Sequence, residues 1–175
     1  MATKPDRDFL RDTSRPSNHN YLSSNFFRLE IGRAPTVAYF AQQVDIPSID
    51  LAELIQPTTL STVVNIPGNQ YQFRPLSVSF LMDEEMRGWR EIYDWITVIA
   101  NYKSTDNTLT FKDRFSDIQL ILTNSSYKGK FQITFRNAYP STLSSIPLNI
   151  TSTDNVPLIG TAVFKYTYFE FSTLT

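Results

Sequence analysis

Residues 76–100, LSVSFLMDEEMRGWREIYDWITVIA, change from strand period to helical period without an intervening loop, and this constrains the rest of the chain. Leu76, Val78 and Phe80 alternate with Ser77 and Ser79, as in a half-buried strand. Beyond Asp83, at about 100° per residue, Met86, Trp89, Ile92, Tyr93, Ile96, Ile99 and Ala100 gather on one arc. Arg87, Arg90, Glu91, Asp94, Thr97 and Asn101 fall on the opposite arc. Asp83 is a suitable N-cap, and Glu84 and Glu85 put negative charge where a helix dipole favours it. A helix is therefore expected over about 83–101, with Met86, Trp89, Ile92, Tyr93 and Ile96 as its core face. Trp95 and Val98 lie off that arc. They are expected on the outer surface, either meeting a partner or lying beneath a loop such as 102–115. No other stretch has a convincing amphipathic helical pattern, so one helix must cover a sheet.

The remaining chain reads as strands and turns. In 25–31, Phe27, Leu29 and Ile31 oppose Arg28 and Glu30. A turn at 32–35 and a strand at 37–44 suggest a hairpin with the first strand. Residues 48–65, SIDLAELIQPTTLSTVVN, hold Ile49, Leu51, Leu54, Ile55, Leu60, Val63 and Val64 but keep neither period. Pro57 excludes a helix through the middle. An apolar connector of this kind either folds over its own core or reaches a neighbouring subunit. Residues 66–69 read as a turn. Further strands are expected at 71–81, near 109–111, at 117–123 and 130–136, and at 158–171 after a Ser/Thr-rich connector at 140–156. The last strand carries apolar residues on both faces, which implies burial on both sides. The fold class is mainly β, an antiparallel sandwich or barrel of about six or seven strands with one flanking amphipathic helix. Residues 1–24 are polar and unpatterned. They are expected to form an N-terminal arm or tail ahead of a single domain at 25–175.

Several function classes lack support. The 175 residues contain no Cys, which removes thiol catalysis, disulfides and Cys-based metal sites. His19 is the only histidine and lies in the polar N-terminal segment, so neither a His-rich metal site nor a triad can be assembled. Asp83, Glu84, Glu85, Glu91 and Asp94 form the densest acidic cluster. Glu91 and Asp94 sit four residues after Arg87 and Arg90, and a solvated helix face with ion pairs accounts for them. No glycine-rich phosphate loop occurs. The formal net charge of -1 gives no global drive toward nucleic acid or a membrane. Lys103, Lys112, Arg114, Lys128, Lys130 and Arg136 are locally basic, but the aromatic–basic interleaving of a single-strand binder is not evident, and they read as surface charge. No apolar run approaches the roughly 20 residues of a membrane span. No enzyme activity, cofactor or metal is expected.

In order and spacing, several elements together resemble the tail tube proteins of contractile-tailed bacteriophages. These elements are NFFRLEI (25–31), a strand ending in VDIPSI (44–49), a long connector, NIPGNQYQFRPLSVSFLMDEE (65–85) and the helix with WREIYDW (89–95). The resemblance implies a β-barrel-like subunit, a fold shared with type VI secretion tube proteins. It implies homohexameric rings that stack into a tube through which DNA is ejected. It makes Ile49, Leu51, Leu54, Ile55, Leu60, Val63 and Val64 the ring-stacking connector, and Trp95 and Val98 candidates for outer-surface contact. Implied partners are further copies of the chain, the tail sheath, baseplate or terminator proteins, and DNA passing without sequence specificity. The implied location is the virion, with assembly in the host cytoplasm. The long N-terminal segment and residues 102–116 depart from the core pattern and admit a tube-initiating ring of a baseplate in place of the repeating subunit. A carbohydrate- or receptor-binding β-sandwich is the alternative from a different class, with residues 102–107 its weak candidate site.

Overall fold

The alternating segments become strands in the computed structural model, which describes residues 21–57, 63–100, 114–124, 126–151 and 156–174, the side chains of 55–57, 63 and 64 excepted. In chain order the elements are β1 (Phe27–Ile31), α1 (Pro35–Tyr39), β2 (Ala41–Asp45), β3 (Ile49–Pro57), β4 (Val63–Phe73), β5 (Leu76–Leu81), α2 (Arg87–Ala100), β6 (Ser116–Thr123), β7 (Gly129–Leu143), β8 (Ile159–Lys165) and β9 (Tyr168–Thr173). The described residues thus hold nine strands and two helices, more strands than expected and one extra short helix. All pairings are antiparallel.

The architecture turns on one long hairpin. The first half of β7 pairs with β9, Phe131 opposite Thr173 through Arg136 opposite Tyr168. Its second half pairs with β8, Tyr139 opposite Lys165 through Leu143 opposite Ala162. The final segment, expected as one strand, is therefore two, divided at Tyr166 and Thr167. The first half of β7 belongs to a sheet ordered β1-β6-β7-β9, and the second half to a sheet ordered β7-β8-β5-β2. The sheets face each other as a sandwich and do not close into a barrel. Asn137 marks the crossing: its φ of 54° is left-handed, a conformation Asn tolerates better than most residues. Asp117 fixes this point. It accepts from Arg136 Nη1 at 2.6 Å and from the Asn137 amide at 3.1 Å. The hydrogen bond to Asp117 also raises the Arg136 pKa above its ordinary value.

The core lies between the sheets. Leu29 and Ile31 face Ile118 and Leu120 of the same sheet and Ile133 and Phe135 beyond them. Leu76, Val78, Phe80, Ala162 and Phe164 come from the other sheet, and all are buried. Gly160 sits opposite Phe80, where a Cβ would lie 2.9 Å from the ring, so the glycine makes room for the aromatic side chain.

β1 and β2 are not a hairpin. They lie in different sheets, joined by α1, whose Pro35 suits a first helical turn. The second helix starts later than Asp83. The Met86 amide donates to the Asp83 carbonyl at 3.0 Å, and the Arg90 amide to the Met86 carbonyl at 3.0 Å. The acidic run is thus a turn ahead of α2, with Met86 at a left-handed φ of 54°, and Asp83 does not cap the helix.

The core face of α2 is also rotated from the expected arc. Gly88, Ile92 and Trp95 are buried, with Ile96 and Ile99 packed beside them. Trp95 is 3% exposed, so it is a core residue and not an outer-surface contact. Its ring lies 6.0 Å from that of Phe164, and its Nε1 donates to the Arg114 carbonyl at 3.1 Å. Met86 and Tyr93, expected in the core, are 38% and 39% exposed. Trp89 is half-buried and stacks on Tyr93 at 5.5 Å, outside the sandwich core. Glu91 turns toward α1 and does not pair along the helix. Its carboxylate accepts from the Thr36 amide at 3.0 Å and the Thr36 hydroxyl at 2.6 Å, capping α1 and tying the helices together. Arg87 pairs instead with Glu85, Nε to Oε2 at 2.5 Å.

Candidate assembly surfaces

The connector that kept no period is a β-hairpin standing apart from the sandwich. β3 and β4 pair only with each other among the described residues. Ile49 faces Phe73, Leu51 faces Tyr71 and Leu54 faces Ile66, so these three cross-strand pairs are apolar. Ile49, Leu51, Leu54 and Tyr71 are each more than half exposed. The backbone of Ile55, Val63 and Val64 continues the ladder, with Ile55 opposite Asn65, Gln56 opposite Val64 and Pro57 opposite Val63. Leu60 lies outside the described residues. The expected turn at 66–69 is instead a strand irregularity. Leu51 pairs with Tyr71 and Glu53 with Pro67, so Ala52 alone faces residues 68–70. There a Cβ on Gly68 would lie 2.5 Å from the Ala52 carbonyl oxygen, a position only glycine accepts.

A two-stranded hairpin is at best marginally stable alone in water. An arm with exposed apolar pairs is a surface built to be covered. Its two feet are tied to each other, and its root packs on the sandwich. Arg74 Nε donates to Asp50 Oδ2 at 2.5 Å, and the Arg74 amide to the Ser48 carbonyl at 3.0 Å. The Phe73 ring lies 5.2 Å from Phe169 and 5.8 Å from Tyr166. The Tyr166 hydroxyl donates to the Arg74 carbonyl at 2.8 Å, and burial raises its pKa from 10.0 to about 12.

The strand edges form the second surface. In one sheet β1 and β9 are outermost, and in the other β2 and the second half of β7. None has a further strand partner among the described residues. A groove of about 640 Å³ runs along the free edge of β1 beside α1, lined by Phe27, Leu29, Ile31, Pro35, Ala38 and Tyr39 among others. Unpaired edges present rows of backbone donors and acceptors ready for another strand. Sequence reasoning missed them because edge position is a property of topology, although the arm and α2 were both singled out. On α2, Val98 is 37% exposed, whereas Ile92 is fully buried and Ile96 packs against the core.

The chemistry available is that of contact. Among the described residues no group of three or more His, Cys, Asp or Glu side chains is placed to hold a metal ion. No helix among them is long and apolar enough to cross a membrane.

Known proteins share this arrangement. Residues 13–172 match the family model for phage tail tube protein. Over 157 residues the chain is 29% identical to the tail tube terminator protein of Enterobacteria phage T4, covering 86% of this chain and 89% of that one. The tube-terminating cap of the anti-feeding prophage aligns with a TM-score of 0.65 at 18% identity, over 94% of this chain and 99% of that one. A chain of the anti-feeding prophage baseplate aligns with a TM-score of 0.60 at 15% identity, over 89% and 97%. At these identities the structural likenesses establish the fold.

Proposed function

Because the chain belongs to the phage tail tube protein family, and is therefore a structural component of a virion tail, we propose that it forms a hexameric ring that ends the tail tube as its terminator. The observation that carries this reading is the 29% identity spanning nearly all of a tail tube terminator protein. That likeness favours the tube end over both the repeating subunit and the tube-initiating ring of a baseplate.

The geometry supports each part. Free edges at β1, β2 and β9 suit closure of copies into a ring, which pairs edges that otherwise invite aggregation. The β3–β4 arm, with Ile49, Leu51 and Leu54 exposed and Ile55, Leu60, Val63 and Val64 in the same segment, is the contact with the adjacent ring of the tube. Val98 on α2 is a candidate contact with the sheath or a neck protein. Of the expected N-terminal arm at 1–24, residues 1–20 lie outside the described residues. The role in DNA ejection is passive: the ring surrounds a conduit, and DNA passes without sequence-specific contact. The near-neutral chain avoids the strong positive field that would retain phosphates by counterion release.

The deciding experiment is electron microscopy of tail tubes assembled with gold-labelled copies of this protein. Six-fold density at one tube end is the expected result. Label spread along the tube length makes the chain a repeating subunit, and a strictly monomeric protein that never meets the tube refutes the ring.

A further inference from the structure

The arm leaves the sandwich at the place where the last strand changes sheets. Tyr166 lies between β8 and β9, opposite the crossing of β7, where the Thr167 amide donates to the Arg136 carbonyl at 3.0 Å. The Tyr166 hydroxyl reaches the backbone of the arm root, donating to the Arg74 carbonyl at 2.8 Å. Its ring packs 5.0 Å from Phe135, a fully buried core residue, so it cannot swing with the arm. Phe73, the last residue of β4, packs against both the Tyr166 and Phe169 rings, which also touch each other. Two further bonds join the feet of the arm strands to each other, Arg74 to Asp50 and Arg74 to Ser48. Among the described residues β3 and β4 make no ladder with the sandwich, to which they connect through the short links 46–48 and 74–75.

From this geometry we propose that Tyr166 and Phe73 form a lock that sets the direction of the β3–β4 arm in the free subunit, and that Tyr166 is a positioning residue for ring-to-ring contact. The second clause rests on the reading of the arm as the stacking contact; the first does not. The lock works by preorganisation. An arm already pointing along its bound direction loses less conformational freedom on docking, so more of its apolar contact appears as affinity. Phe73 fixes the root by packing and the Tyr166 hydroxyl by a directional bond to the backbone. Arg74 and Asp50 keep the two strands together and do not orient them relative to the sandwich.

The test uses spin labels. The chain contains no cysteine, so Glu53→Cys on the arm and Lys130→Cys on the sandwich give a single defined pair. The dilute subunit is expected to show one narrow interlabel distance. Tyr166→Phe, which removes one oxygen, is expected to widen that distribution while leaving the circular dichroism of the sandwich intact, and Phe73→Ala to widen it further. Equal widths in all three proteins overturn the lock. In assembly, Tyr166→Phe is expected to weaken ring-to-ring association roughly fivefold, the equivalent of one net hydrogen bond, with ring closure unchanged. A wild-type stacking constant beside a widened distribution overturns the positioning role. Deleting residues 51–60 probes the underlying reading separately. If stacking survives that deletion, the arm is not the stacking contact and the positioning role falls with it, while the label distances still decide the lock.

Discussion

Replacing Trp95 by alanine should remove a large share of the subunit's stability, and replacing Tyr93, two residues away on the same helix, should not. Trp95 is 3% exposed, packs against Phe164 and donates its indole N–H to the Arg114 carbonyl. Truncating a buried tryptophan costs about 3–5 kcal/mol through lost transfer energy and the cavity left behind. The orphaned carbonyl adds to this wherever water cannot reach it. For a chain of this length each kcal/mol moves the melting temperature by about 2–4 °C, so a fall of roughly 10 °C is expected. Tyr93 is 39% exposed and stacks on Trp89 outside the core, so Tyr93→Ala is expected to cost about 1 kcal/mol. Val98→Ala, at a similarly exposed position, should stay near 0.5 kcal/mol. The assay is thermal and urea denaturation followed by circular dichroism, on protein dilute enough that subunits do not associate, since assembly adds its own stability. Equal losses for Trp95→Ala and Tyr93→Ala would refute the rotated helix face and restore the arc centred on Met86, Trp89 and Tyr93.

Two further outcomes follow from other contacts. Glu91→Ala removes both bonds to Thr36 and should cost about 2 kcal/mol, with faster hydrogen exchange in α1; Glu91→Gln should cost less, because its amide oxygen still accepts one bond. Burial lifts the Tyr166 pKa from 10.0 to about 12. The folded state therefore holds that proton more tightly than the unfolded chain, and its contribution is complete below pH 10 and lost as pH rises to about 12. Denaturation midpoints of wild type and Tyr166→Phe should converge across that window, and a constant difference through pH 12 counts against the buried hydroxyl.

Much of the sandwich was legible because its strands have one wet face and one dry face. Phe27, Leu29 and Ile31 in β1, and Ile118 and Leu120 in β6, alternate for that reason, and both strands lie where the pattern puts them. The arm was not legible as strands. Period 2 arises only when one face is buried, and neither face of β3–β4 is buried within the subunit. That lack of pattern fits the proposed role of the arm as a contact with another molecule. The helix was found, but its rotation was misjudged by about one residue. Gly88 belongs to the core face and counts as nothing in an apolar tally, while Met86, Trp89 and Tyr93 are apolar enough to be counted and lie toward the rim. Residues 140–156 read as a connector, yet β7 runs on through Pro140 to Leu143. Beyond Ala138 the other edge of β7 has no partner, so no N–H is missed there. The short α1 was hidden in a segment whose residues suit a strand equally well.

The long hairpin of β7 with β8 and β9 also defines a mechanical load path. A force applied along the arm enters the body through the backbone links to β2 and β5, and also passes from Arg74 and Phe73 to Tyr166, the hinge between the two halves of that hairpin. On one side of the hinge β8 is hydrogen-bonded into the sheet with β5, and on the other β9 is bonded to the half of β7 that carries β6 and β1. Tension is thus divided between two ladders and must shear many bonds together, where a strand attached at one corner would be unzipped a bond at a time. A body loaded in this way transmits axial strain through its full width.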